Sequence, residues 1–177
     1  MGQVLGRNIM LVDMLTKGRV QTRAREEMDL AWNRIDPDKW YDNSSTLNAY
    51  LRSIDKKLFG SKRGLYEVGK EIIPTLKNST PVMNHVHDAI TGLQGLDPAY
   101  KTNNQGDDIG GFFVEDITDS SMTIRDNTQQ HYSEFVRGVI EGHFDAWNTH
   151  RLIECKVEAR REKGALFNIF KLKFERI

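Results

Sequence analysis

HYSEFVRGVIEGHFDAWN, residues 131–148, decides the fold. Tyr132, Phe135, Val136, Val139, Ile140, His143, Phe144 and Trp147 recur at intervals of three and four, so one face of a helix spanning Thr128 to Trp147 is apolar, with His143 its polar exception. Arg137 and Glu141, four apart, pair on the other side. Upstream, GFFVEDIT (111–118) and SMTIRDN (121–127) are short β-branched and aromatic runs separated by Asp119 and Ser120, which predicts a hairpin. Downstream, Ile153, Cys155, Val157 and Ala159 alternate with Glu154, Lys156, Glu158 and Arg160. A turn follows at Lys163-Gly164, and an extended run from Ala165 to Phe174 puts Leu166, Asn168, Phe170 and Leu172 on one face. Two hairpins around one helix make a β-β-α-β-β antiparallel four-stranded sheet with one polar face.

The N-terminal part reads as helices. Val20, Ala24, Met28, Ala31 and Ile35 share a face up to Pro37. Ser44 or Ser45 caps a second helix with the stripe Leu47, Tyr50, Leu51, Ile54 and Leu58, closed by Gly60. A third stripe, Leu65, Val68, Ile72 and Ile73, meets Pro74, which should kink or stop it. A fourth, Val82, Val86, Ile90 and Leu93, starts at Pro81 and ends near Gly95. AYKTNNQGDDIGG (99–111) has no period and reads as a loop. The class is therefore α+β, an N-terminal helical bundle followed by the four-stranded sheet, in one domain over 1–177: a mainly helical part over 1–98, and the sheet with its long helix over 110–177.

The 25 basic and 25 acidic residues balance, so no net field draws the chain to nucleic acid or anionic lipid. The single cysteine, Cys155, excludes an internal disulfide and suits a reducing, cytoplasmic setting. No run of about 18 apolar residues predicts a transmembrane segment, and Gly6 stands where a myristoylation signal needs Ser or Thr.

DPDKWYDNSSTLNAYLRSIDKKLFG (36–60), LQGLDPAY (93–100), GGFFVEDITDSSMTIRDN (110–127), the helix over 131–148 and RLIECKVEARREKGALFNIFKLKF (151–174) follow one another in a familiar order. In that order the chain resembles the superfamily joining heme nitric oxide/oxygen-binding domains, 4-vinyl reductase-type ligand domains and TRAPP small subunits. The resemblance implies a sensory module whose helices close over one sheet face and leave an apolar pocket for a small ligand. In the heme-binding branch a histidine precedes the glycine-rich loop and a Tyr-x-Ser-x-Arg motif holds the propionates. Here the ligand position falls near Tyr100, and residues 124–128 read IRDNT. The expectation is a ligand-binding signalling module without heme, metal or other cofactor. The alternative is an interaction or scaffolding subunit acting as a homodimer.

Candidate chemistry is sparse. GLYEVGK (64–70) has Walker A spacing, but Glu71 occupies the magnesium-binding hydroxyl position and no strand precedes it, so an ordinary helix is the simpler reading. His85 and His87, two apart, diverge on a helix. Cys155 shares a strand face with Ile153 and Val157, as an inert core thiol would. Trp32, Trp40, Tyr41 and Trp147 read as core aromatics, and Asp107-Asp108 as a solvated loop. No catalytic triad order, zinc-hydrolase signature or dinucleotide fingerprint occurs, so no catalytic residue is named. His143 and Asn168 are polar residues at apolar positions. With Phe144 and Trp147 they are the ligand-binding candidates, expected to share one cavity.

Overall fold

The computed structural model describes residues 2–57, 63–130 and 132–177. The chain begins with β1 (Gln3–Leu5), α1 (Gly6–Leu15), α2 (Gly18–Glu26), β2 (Trp40–Asp42), α3 (Leu47–Lys57), α4 (Arg63–Ser79), α5 (Ala89–Gln94), α6 (Leu96–Asn103) and β3 (Asn104–Gln105). It continues with β4 (Phe112–Glu115), β5 (Ser121–Asp126), α7 (Ser133–Ala146), β6 (His150–Ala159) and β7 (Asn168–Arg176). The α+β class and the closing β-β-α-β-β run are as expected, whereas the short strands β1, β2 and β3 among the helices are not. Leu58 and Gly60, the expected end of α3, lie outside the described residues, as does His131.

The large sheet is antiparallel in the order β4-β5-β7-β6. Met122 pairs with Leu172 and Ile124 with Phe170, four buried side chains that form the inner face. The alternate residues Lys171 and Lys173 point outward and pair with Glu158 and Glu154 at 3.2 and 3.1 Å. The α7 stripe covers the inner face, with the Phe144 and Phe174 rings 6.0 Å apart. Two details depart from strict alternation. Ile153 sits at a bulge between the pairs Leu152–Phe174 and Glu154–Lys173 and is 54% exposed, so Leu152 takes its place beside Cys155 and Val157. Leu166 precedes β7 and is exposed rather than sharing the Asn168 face.

The other side of α7 packs on α4 through glycines. A Cβ on Gly138 would lie 2.2 Å from the Tyr66 carbonyl oxygen, and one on Gly69 would lie 2.2 Å from the Phe135 carbonyl oxygen. Pro74 does not stop α4, which runs on to Ser79. Pro74 has no N–H for the Lys70 carbonyl, and α7 abuts that point at Gly142, where a Cβ would meet the Lys70 oxygen at 2.5 Å. Helix packing here outweighs a local cost of about 3 kcal/mol.

Three further expectations change. The first helical stripe breaks after Glu26, and Trp32–Arg34 forms a short 3-10 turn. There the Arg25 guanidinium grips both oxygens of buried Asp13, at 2.7 and 2.6 Å, and lies 4.4 Å over the Trp32 ring. The fourth stripe yields only a turn at Pro81–Met83. The helix proper starts after Asp88, whose carboxylate accepts from the Thr91 backbone N–H at 2.8 Å. Most of the expected loop over 99–111 is instead α6 and β3. β3 and β2 flank β1 in a small second sheet that the sequence reading lacks. Among the described residues no helix is long and apolar enough to cross a membrane.

Candidate functional site

Between the helical part and the sheet lies a cavity of about 170 Å³. Residues at helical spacing on α6, Leu96, Ala99, Tyr100 and Asn103, form one wall. Asn8, Leu11 and Val12 of α1 and Ile72 and Leu76 of α4 contribute further walls, while Phe135, Val136 and Val139 of α7 and Phe112 of β4 close it from the sheet side. Leu47 completes the apolar lining, and Asn104, Thr128 and Gln130 gather at its polar corner. Tyr100 is fixed edge-on against Phe112, with centroids 5.8 Å apart. Its hydroxyl donates to the Ile109 carbonyl at 2.8 Å and accepts from the Gln129 N–H at 3.2 Å. Burial pushes the phenol up to about 12, so the ring stays neutral.

Behind the polar corner lies a buried relay. Asp126 accepts from the Thr128 backbone N–H at 2.8 Å and from the Asn168 side-chain amide at 2.7 Å. The Asn168 oxygen accepts from the Arg161 N–H at 2.7 Å, and the Arg161 guanidinium reaches the Thr128 carbonyl. Burial raises the Asp126 carboxyl above its ordinary value, against the hydrogen bonds from Thr128 and Asn168.

The structure separates the residues expected to share a pocket. His143 is buried beside α5, its Nδ1–H donating to the Val139 carbonyl at 2.8 Å and its ring stacked on Trp147 at 5.9 Å. The Trp147 indole N–H donates to the Val86 carbonyl at 3.0 Å, and Phe144 packs on Phe174. Asn168 lies six residues before Phe174 along β7, about 20 Å of strand away. None of the four lines the cavity. His143 and Asn168 sit at apolar positions because each has its own hydrogen-bond partners, and Asn168 touches the site through Asp126 and Arg161 rather than directly.

Other candidates fall into place. GLYEVGK lies inside α4. His85 and His87 are exposed in the stretch over 84–88, which is not helical. Cys155 is half-buried near Glu141 and Arg137, its thiol pushed up to about 12 chiefly by burial. The Arg137–Glu141 pair, at 2.7 Å, lies under α4, where Glu141 also accepts from the Tyr66 hydroxyl at 2.7 Å. Trp32, Trp40 and Tyr41 are half-buried, and Asp107 and Asp108 are exposed. Among the described residues no three His, Cys, Asp or Glu side chains are grouped to hold a metal ion.

A sheet carrying one long helix beneath a helical cap gives a fold that resembles those of solved H-NOX domains. The chain aligns over 98% of its length with 96% of the Fe(II) unliganded H-NOX protein from K. algicida, with a TM-score of 0.68 and 16% identity. An oxygen-binding H-NOX domain related to soluble guanylate cyclases, solved as its oxygen complex, matches over 97% of this chain and 92% of its own, with a TM-score of 0.65 and 15% identity. A mutant of the T. Tengcongensis H-NOX matches over 95% and 92%, with a TM-score of 0.63 and 14% identity. No protein-family model and no curated protein matches the sequence significantly.

Solved H-NOX domains of this fold are studied as heme proteins, so the cavity walls can be tested against a heme. An iron porphyrin needs an axial His, Cys, Met or tyrosinate, and its propionates call for cations. The described lining residues include no histidine, cysteine, methionine, lysine or arginine, and the one phenol, Tyr100, is held neutral by burial and committed to two backbone hydrogen bonds. These residues do not fit the group.

Proposed function

We propose that the protein is a ligand-binding sensory module of H-NOX-like fold whose cavity takes a small apolar molecule directly, without heme. The observation that carries this reading is the half-open cavity of about 170 Å³ lined mainly by apolar side chains of α1, α4, α6 and α7, with no metal-binding or cationic side chain among its described walls. An apolar cavity of roughly 150 Å³ in a folded protein stays dry and accepts benzene or xenon, whereas drug-sized ligands occupy roughly 300–1,000 Å³. A single ring or a short aliphatic chain is the matching size. Helices from both halves of the chain meet at the cavity, so an occupant would contact the cap and the sheet-bound helix together, a placement suited to coupling occupancy to their relative position.

The test is absorbance and native mass of the full chain purified from cells supplied with a heme precursor. The expected result is no Soret band, no stoichiometric uptake of added hemin and, where mass is retained, a small organic molecule. A Soret band abolished by one histidine substitution, His131→Ala included, would overturn the reading. A ligand-free homodimer would favour the interaction-subunit alternative.

A further inference from the structure

Thr128 lines the cavity and is completely buried. Its backbone is fully used, the N–H by Asp126 and the carbonyl by Arg161, yet its Oγ1 makes no hydrogen bond. The hydroxyl lies near the buried Asp126 carboxyl and counters the rise that burial imposes on it, but the two do not meet in hydrogen-bond geometry. Buried hydroxyls are rarely left so, because an unmade hydrogen bond costs about 1–3 kcal/mol. The polar groups of Asn104, Gln130 and Tyr100 at this corner are engaged. The Asn104 amide donates to the Tyr100 carbonyl at 2.9 Å and accepts from Gln130 at 3.5 Å, and the Tyr100 hydroxyl both donates and accepts.

We infer that the ligand is a small neutral molecule with an apolar body and one hydrogen-bond donor, such as a phenol or a short alcohol, and that Thr128 Oγ1 receives that donor. The inference rests on the proposal that this cavity is the ligand site. The lone pairs of Thr128 Oγ1 are used by no described group and can accept the incoming donor. The described walls hold no charged side chain, so an ionic ligand would be buried without a counter-charge. Thr128 is thus a specificity-determining residue. The relay Asn168–Asp126 behind it is a positioning device, since it fixes the backbone from which the hydroxyl projects.

Phenol and toluene, of nearly equal size, separate the hydroxyl's role from that of the cavity. Each is titrated into the full chain and into Thr128→Val and Thr128→Ser, with amide shifts of Leu96, Phe112 and Val136 as the readout. Thr128→Val should bind toluene as the parent does, which also shows that it is folded. It should lose about five- to tenfold in phenol affinity, the worth of one neutral hydrogen bond. Thr128→Ser should keep the phenol preference. If Thr128→Val binds both as the parent does, the inference falls and the cavity reading stands. If neither compound moves those amides in the parent protein, the cavity reading fails and this inference with it.

Discussion

Gly138→Ala is expected to destabilise the protein by about 3 kcal/mol or more in reversible denaturation. The added methyl would lie 2.2 Å from the Tyr66 carbonyl oxygen, 2.7 Å from the Lys70 nitrogen and 3.0 Å from the Gly69 carbonyl carbon. All three are backbone atoms of α4, so no side chain can turn aside and the two helices must separate. Overpacking against movable side chains costs about 1–3 kcal/mol, and a clash between two backbones belongs at or above the top of that range. Alanine is otherwise the better helix former by about 1 kcal/mol, so the loss appears despite propensity. Gly95→Ala is the control: its nearest neighbour would be 3.4 Å away, and a change below about 1 kcal/mol is expected. An equally mild effect at Gly138 would show that α4 and α7 do not meet backbone to backbone.

His143 should make the fold acid-sensitive. Burial lowers the imidazole to about 4, against the raising effect of its hydrogen bond to the Val139 carbonyl. The unfolded chain takes up that proton near pH 6.5, whereas the folded protein resists it down to about 4. Between these values the unfolded state binds more protons, so stability falls as pH falls through the window and is unaffected by this group above it. The full loss is about 3 kcal/mol. Denaturant titrations from pH 7 to 4 should show this slope in the parent protein and a flatter one in His143→Leu. The Val139 carbonyl keeps its place within α7 in the variant, so the substitution adds no buried orphan acceptor. Parallel curves for the two proteins would mean that the imidazole titrates in both states alike.

The four-stranded sheet and α7 are legible in the sequence because each has a long, regular period: the α7 stripe from Phe135 to Trp147 is buried apart from half-buried Val139, and Phe170 and Leu172 alternate with Lys171 and Lys173. The small sheet is not legible, since β1, β2 and β3 are two or three residues long and show no period. The break after Glu26 and the survival of α4 past Pro74 depend on partners distant in sequence, Asp13 in one case and Gly142 in the other. The cavity escapes a sequence reading for a similar reason, being assembled from several elements that each lend a few residues. One signal was present: Leu96, Ala99, Tyr100 and Asn103 hold helical spacing inside a stretch that composition marks as a loop. Polar residues at apolar positions mislead here, because His143 and Asn168 are satisfied within the core while Thr128, whose hydroxyl is not, lies ahead of α7, which starts at Ser133 rather than at the expected Thr128.

A crystal of the full chain under xenon pressure tests the central claim most directly, since xenon enters dry apolar cavities without needing a specific polar contact. The account predicts anomalous density between α1, α6 and α7, within van der Waals reach of Leu96, Phe112 and Val136. Density for a tetrapyrrole in that space, or xenon elsewhere with this cavity filled by protein side chains, would contradict it.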